Sequence, residues 1–358
     1  MTLTVDHGHT VLEAMAEHDH EEVVHVHDAA SGLRAIIAIH STLLGPALGG
    51  TRFHAYSTEL DALDDALRLS EGMTFKAALA GLDLGGGKGV ILGNPDTDKT
   101  PELLLAYGRA VESLGGRFNT GEDMGMGEAD IDVVATVTGH VCGGSTARGG
   151  SGDPSPWTAH GVLLCIREVL RRLDGSSELA GRRMAVCGVG KVGRPLVRSL
   201  VAEGAEVTVA DVSDAPVAAL LTDVEVEVVD VAEIHRQDCD VFVPCAMGGV
   251  LDEMTVPELR CRAVVGSANN QLAEPLDGVR LAERGILYAP DYVVNAGGLI
   301  SVADELAGWD EVRVRTRTEA IPATLRAVLD EADATGTPPS EAADRLARAR
   351  VSPRRSRS

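Results

Sequence analysis

Two lysines and an aspartate stand where side-chain packing gives them little reason to be. Lys76 lies in MTFKAA, Lys88 in LGGGKG and Asp123 in FNTGEDMG. Lys88 is flanked by Gly85, Gly86, Gly87 and Gly89, so its neighbours offer no side-chain cover and backbone could crowd a ligand there. Two lysines drawn into one dry cleft would repel and desolvate each other. One ammonium could then lose its proton near neutral pH and act as a base. Taken singly, each of the three is an ordinary surface or turn residue, and spacing alone does not bring them together.

A second constellation concerns a cofactor. MAVC followed by Gly188, Gly190, Lys191, Val192 and Gly193, and then a helical run to Gly204, is GxGxxG between a strand and a helix. Gly188 would allow the tight turn, and Gly190 would let a pyrophosphate approach the backbone. Gly193 would let helix and strand pack closely, with phosphate at the helix N-terminus. Asp211 ends the next strand about twenty residues on, where a carboxylate can accept from ribose hydroxyls. Val212 and Ser213 follow it, offering no adjacent arginine for a 2′-phosphate, and the pattern favours NAD. A dinucleotide unit names a cofactor and not a reaction.

The elements that must position these residues divide into two regimes. Residues 23–39 read as a hairpin, VVHVH and LRAIIAI joined by AASG, so the ordered chain is expected to start with sheet. Thr58-Glu59-Leu60-Asp61 is a capping-box pattern opening a helix that runs to Gly72, and a second helical stretch carries Lys76. Residues 81–87 read as a glycine loop before a strand at 90–92, and another helix spans about 102–114 up to Gly115-Gly116. The glycine- and proline-rich stretch 140–156 reads as a domain hinge. Beyond it, a helix at 159–173 leads into short apolar strands at 184–187, 206–210, 224–229, 241–243, 263–265 and 286–289, alternating with helices, which implies a doubly wound parallel sheet. Helices close the chain from Glu311. The expected domains are 1–142 for substrate and assembly and 143–334 for the dinucleotide, with a C-terminal helix of about 335–358 packing back on the first.

Composition narrows the class. A chain of 358 residues, 44% hydrophobic, can bury two cores. Its formal net charge of −22 argues against nucleic acid or an anionic membrane as partner. Arg345, Arg348, Arg350, Arg354, Arg355 and Arg357 make a basic tail with the composition of a solvated end. Nothing resembles a secretory signal or membrane span, and Cys142, Cys165, Cys187, Cys239, Cys245 and Cys261 show no CxxC spacing. Reduced thiols and a cytoplasmic location follow. His7, His9, His18, His20, His25 and His27 crowd the N-terminus, but HVH in a strand puts both histidines on one face with no further ligand at metal spacing, so no metal is expected.

GPALGGTRF, the Lys76 segment, GGGKG, TGEDMG, GGSGDPSPWTAHG, GVGKVG, PCAMGG, GSANNQL and ILYAPDYVVNAGGLISVADEL, in that order from about Val23 to Leu346, together resemble the leucine/valine/phenylalanine dehydrogenases, relatives of glutamate dehydrogenase. The resemblance implies an α/β protein of two domains: an N-terminal catalytic domain with a mixed sheet and a C-terminal Rossmann domain, with the active-site cleft between them. It also implies a homo-oligomer. Lys76 would hold the substrate α-carboxylate, Lys88 would be the general base that activates water, and Asp123 would exchange protons with the amino group and that water. Gly49 and Gly50 would line the carboxylate site, Asn269 and Asn295 would contact substrate or nicotinamide, and Thr158 would orient the carboxamide. Ala246 and Met247 would join the GxGxxG residues in holding NAD. The implied reaction is hydride transfer from Cα followed by imine hydrolysis to a 2-oxo acid and ammonium.

Leu48, Gly121, Leu299 and Val302 are the positions expected to shape the side-chain pocket. In the glutamate branch a lysine and a serine take the places of Leu48 and Val302. A free carboxylate against two aliphatic groups would be left without partners, which disfavours glutamate. The pattern looks most like the valine and leucine enzymes. Gly121 resembles the phenylalanine enzymes by opening space, whereas Leu299 takes some back. Asn119 stands where an apolar residue is typical, and residues 124–127 and Trp157 also depart from the pattern. Two alternatives stand beside this reading: another reaction on the same architecture, such as a malic-type decarboxylase, for which no metal-binding carboxylate cluster is evident, and a catalytically silent dinucleotide-binding protein.

Overall fold

The computed structural model of the protein describes residues 10–352. His7 and His9, and Arg354, Arg355 and Arg357 of the basic tail, lie outside the described residues. Two compact units divide the chain. The first comprises 10–152, 301–310 and 347–352 of the described residues, and the second comprises Asp153–Ile300 and Glu311–Leu346. The residues 143–152 thus count with the first unit, ten residues beyond the expected boundary.

A short helix, Val11–Glu17, precedes the first strand, capped reciprocally by Thr10 and Glu13. The expectation that the ordered chain starts with sheet is corrected by that helix. The first unit then builds a five-stranded sheet from β1 (Glu22–Asp28), β2 (Leu33–Ser41), β3 (Ala47–His54), β4 (Gly85–Leu92) and β5 (Phe118–Gly121). Their order is β1-β2-β4-β3-β5. The first pair is the expected hairpin, with Asp28 opposite Leu33 and Gly32 at φ +76° in its turn. The β2–β4 pair is antiparallel, while β3 runs parallel to both β4 and β5, so the sheet is mixed.

Helices cover both faces. On one, Leu33, Ile37, Ile39, Phe53, Ile91 and Phe118 pack with Leu103, Leu104 and Tyr107 of the helix Pro101–Ser113. On the other, Ile36, Ala38 and Val90 pack with Ala62, Leu63, Ala66 and Leu67 of the helix Glu59–Leu79. That helix starts at the capping box of Thr58 and Asp61 and runs unbroken through Gly72 to Leu79. Two helical stretches were expected. A glycine in a helix interior costs only about 1 kcal/mol relative to alanine, less than the burial of one leucine on the sheet returns.

The second unit holds six parallel strands, β6 (Arg183–Cys187), β7 (Glu206–Ala210), β8 (Glu227–Val228), β9 (Val241–Pro244), β10 (Ala263–Val264) and β11 (Leu287–Tyr288), in the order β11-β10-β9-β6-β7-β8. The order reverses between β6 and β9, where the doubly wound fold places its ligand. All six cysteines are free thiols, and all but Cys245 are buried. Among the described residues no helix is long and apolar enough to cross a membrane, and no group of three or more His, Cys, Asp or Glu could hold a metal ion.

Candidate active site

Lys88 does not follow a loop. It lies inside β4, which begins at Gly85, and this corrects the reading of residues 81–87 as a loop. The glycines around it make room for the protein's own layers. At Gly86 an added Cβ would overlap the backbone nitrogen of Thr74 in the helix Glu59–Leu79, at Gly87 it would come within 2.6 Å of the Phe118 ring, and at Gly89 it would overlap the Tyr107 hydroxyl. Glycine in a central strand marks such close approach. Alternation along β4 puts Gly86, Lys88 and Val90 on the side of the helix that carries Lys76, two residues after Thr74. Lys76 is half-buried on that helix.

The Lys88 ammonium is 2.8 Å from Oδ2 of Asp123, and its side chain is 6% exposed. Burial pushes the Lys88 pKa down, while the adjacent Asp123 carboxylate opposes the fall and Arg52 adds to it. The sequence pointed to Lys76 as the repelling cation. The largest depressing influence is burial, and Arg52 is a cation that adds to it. Arg52, on β3, donates from Nε to Asp123 Oδ2 at 2.9 Å and from a terminal nitrogen to Asp65 Oδ2 at 2.7 Å. Asp65 also accepts from the Tyr56 hydroxyl at 2.6 Å and from Arg68 at 2.7 Å. Asp123 resists the upward push of burial because Lys88 and Arg52 both favour its charged form, leaving its pKa lowered. Arg52, Tyr56, Asp65 and Arg68 escaped the sequence reading. An arginine within the apolar alternation of ALGGTRFH was the available signal.

Gly49 and Gly50 sit on β3 where its ladder to β4 is interrupted: pairing runs through Leu48 and Gly86 and resumes at Thr51 and Gly89. On the other side the ladder continues, with Leu48 opposite Asn119 and Gly50 opposite Gly121. Leu48 is buried, and a Cβ on Gly121 would come 3.0 Å from the Cys142 carbonyl. Lys88, Asp123, Gly49, Gly50, Leu48 and Gly121 are thus gathered on three adjacent strands or just past them. Val302 also belongs to the first unit and Leu299 to the second, one turn apart on the helix Ala296–Asp304.

In the second unit the three glycines of GxGxxG meet three different demands. Gly188 has φ +99° and lies 2.7 Å, measured from an added Cβ, from the backbone nitrogen of Ala246. A Cβ on Gly190 would meet nothing within 4 Å, whereas one on Gly193 would overlap the carbonyl of Gly188. Lys191 and Val192 lead into the helix Gly193–Ala202. Asp211 follows β7 directly, and its Oδ2 accepts from Val189 N at 2.8 Å while Oδ1 accepts from Ser213 N at 3.0 Å. Each carboxylate oxygen keeps a lone pair for a further donor. An open glycine approach at a helix N-terminus, with an acid beside it, fits the pyrophosphate and ribose of a dinucleotide. Met247 is exposed. Asn295 donates to Asn269 Oδ1 at 2.7 Å and to the Ser267 carbonyl at 3.1 Å. Close packing joins the NAGG segment to the start of the helix Ser155–Asp174: a Cβ on Gly298 would lie 2.6 Å from Thr158 Oγ1.

Comparison with known proteins agrees with both units. Residues 20–140 match the Glu/Leu/Phe/Val dehydrogenase dimerisation domain, and residues 149–219 and 217–357 match the Glutamate/Leucine/Phenylalanine/Valine dehydrogenase family. The chain belongs to the Glu/Leu/Phe/Val dehydrogenase family. The family is one of amino-acid dehydrogenases, and relatives within it carry different substrate names at comparable distance. A valine dehydrogenase of Streptomyces albus is 50% identical over 342 residues, covering 94% of each chain. A leucine dehydrogenase of Bacillus subtilis is 46% identical, covering 97% of this chain and 96% of its own. The crystal structure of an L-tryptophan dehydrogenase from Nostoc punctiforme superposes with a TM-score of 0.85 at 42% identity, covering 96% of this chain and 98% of that one.

Proposed function

We propose that this protein is an NAD-dependent dehydrogenase that oxidatively deaminates valine, leucine or isoleucine, reversibly, to the 2-oxo acid and ammonium. The observation that carries the reading is the buried Lys88–Asp123 pair, 2.8 Å apart, in a family of amino-acid dehydrogenases. Lys76 would hold the substrate α-carboxylate beside the interrupted ladder at Gly49 and Gly50. A bound nicotinamide would supply the acceptor for the Cα hydride. Lys88, its pKa lowered by burial, would then take a proton from the water that adds to the imino carbon. Asp123, within hydrogen-bonding reach of Lys88, would pass protons between that water and the departing amine.

Thr158, Asn269 and Asn295 would orient the nicotinamide and substrate, while Gly188, Gly190, Lys191, Val192, Gly193, Ala246 and Met247 would surround the rest of the dinucleotide. Asp211 supports NAD over NADP, because its carboxylate would repel a 2′-phosphate. Leu48, Gly121, Leu299 and Val302 would form an apolar side-chain pocket. A phenylalanine preference is the second reading, favoured by the absence of any side chain at Gly121. The dimerisation-domain match supports a homo-oligomer, and six free thiols support the cytoplasm.

The test is NADH formation at mildly alkaline pH with valine, leucine, isoleucine, phenylalanine, tryptophan, alanine and glutamate, each offered with NAD or NADP. Turnover of the branched-chain substrates with NAD is expected. Silence with every amino acid despite NADH binding would move the protein to the catalytically silent class.

A further inference from the structure

Asn119 is a polar group in a place built for apolar ones. It lies on β5 and is 5% exposed. Its neighbours in sequence point into the opposite layer: Phe118 packs in the core beside Tyr107, and the Thr120 hydroxyl bonds Thr51 Oγ1 at 2.6 Å. Alternation therefore turns Asn119 and Gly121 to the other face. On that face Asn119 is the direct cross-strand neighbour of Leu48, one strand step, about 6.7 Å, from Gly121. Among the described residues its side-chain amide has no hydrogen-bond partner. Its amide is not among the side-chain groups sealed from solvent without a partner, so the little of Asn119 that stays exposed includes a polar end that water or a ligand can reach and complete.

We propose that Asn119 is a specificity-determining residue, and that it selects amino acids whose otherwise apolar side chain carries one uncharged hydrogen-bonding group three or more atoms from Cα. The inference rests on the reading of Leu48 and Gly121 as pocket residues and narrows the proposed branched-chain class: valine is too short to reach Asn119, whereas leucine and isoleucine, still turned over, would be poorer substrates than analogues with a polar end. The distance follows from the strand step: Gly50 and Gly121 are paired in one row, where the substrate carboxylate and reacting carbon would lie, and Asn119 is paired with Leu48 two residues along. The group must be uncharged because Leu48 and the neutral amide offer an ionised terminus no counter-charge. A hydroxyl can both donate to the amide oxygen and accept from its nitrogen. An aliphatic end instead shuts the amide away unpaired, and sites that hydrogen-bond a substrate group discriminate strongly against the analogue lacking it.

The test compares shape-matched substrates in one preparation, so that the fraction of active enzyme cancels. kcat/KM is measured with NAD for 5-hydroxynorvaline against norleucine and for homoserine against norvaline, in the wild type and in Asn119→Leu. The wild type is expected to favour 5-hydroxynorvaline over norleucine by about tenfold or more, with a smaller preference in the shorter pair. In Asn119→Leu that preference is expected to collapse or invert, with norleucine turnover rising. Equal ratios in the two proteins, or a wild type that prefers norleucine, would overturn the assignment. If Asn119→Leu fails to fold, Asn119→Ala, which also lacks a hydrogen-bonding side chain, reads the same ratio. Absence of turnover with any amino acid in the wild type would instead defeat the dehydrogenase reading, a separate outcome.

Discussion

Acidification from pH 7.5 to 5 should weaken the first unit through two histidines beneath its long helix. His20 Nε2 reaches the Leu67 carbonyl and Ser70 Oγ, each at 3.0 Å. A carbonyl cannot donate, so Nε2 carries the proton, and Nδ1 is buried with no partner among the described residues. His40 Nε2 likewise donates to the His18 carbonyl at 3.0 Å, leaving Nδ1 to accept from Thr74 Oγ1 at 2.8 Å. Both rings are therefore held neutral. Burial first, and for His20 the neighbouring His40 next, lowers each pKa from 6.5 to about 4.

The unfolded chain takes up these protons near pH 6.5 and the folded chain only near pH 4. Stability is therefore complete above pH 6.5 and is lost as pH falls from there toward 4. Integrated from pH 7.5 to 5, one such histidine costs about 2 kcal/mol. The assay is urea unfolding of wild type and His20→Gln at pH 7.5, 6 and 5, the glutamine keeping a donor for Leu67. The wild type should lose about 2 kcal/mol more than the variant over that interval. Parallel pH dependences would refute the claim that His20 is held neutral by burial.

Other consequences are sharper at the site itself. Arg52→Gln removes a cation that depresses the Lys88 pKa, so the rising limb of the kcat/KM pH profile should move to higher pH, with Arg52→Lys moving it less; an unshifted profile would deny Arg52 that influence. Gly86→Ala would drive a methyl into the Thr74 backbone, and melting should show a loss of about 3 kcal/mol or more, since backbone cannot rotate away as a side chain can. Asp211→Ala frees the Val189 amide and should weaken NADH binding about tenfold or more, by fluorescence titration, while leaving amino-acid KM nearly unchanged.

The second unit was legible because short apolar runs alternate with helices and each strand ends on a turn signal, down to Asp211 falling just past β7. The hairpin of β1 and β2 was legible for the same reason. The first unit was harder. GGGKG reads as a loop because glycine-rich sequence usually is one, yet here each glycine is where another layer presses on a central strand, and no local pattern in Gly85, Gly86 or Gly87 reports Phe118 or Thr74 arriving from a distance. β3 and β5 escaped for a similar reason, since ALGG and FNTG carry little β-branched character. Gly72 looked like a helix stop and proved to be an interior position. The Lys88–Asp123 contact was inferable only from resemblance, because β4 and β5 are brought together by β3 between them. Arg52 was hidden by its own strand, a charged residue whose partners at positions 65 and 123 no spacing rule connects.

The central claim, that Lys88 is the base of an amino-acid dehydrogenase, is tested most directly by Lys88→Ala assayed for both binding and turnover. NADH affinity should match the wild type, since the dinucleotide residues lie in the other unit, while kcat with the best amino acid should fall by about 10²-fold or more. A variant that keeps wild-type kcat and an unchanged pH profile would contradict the account.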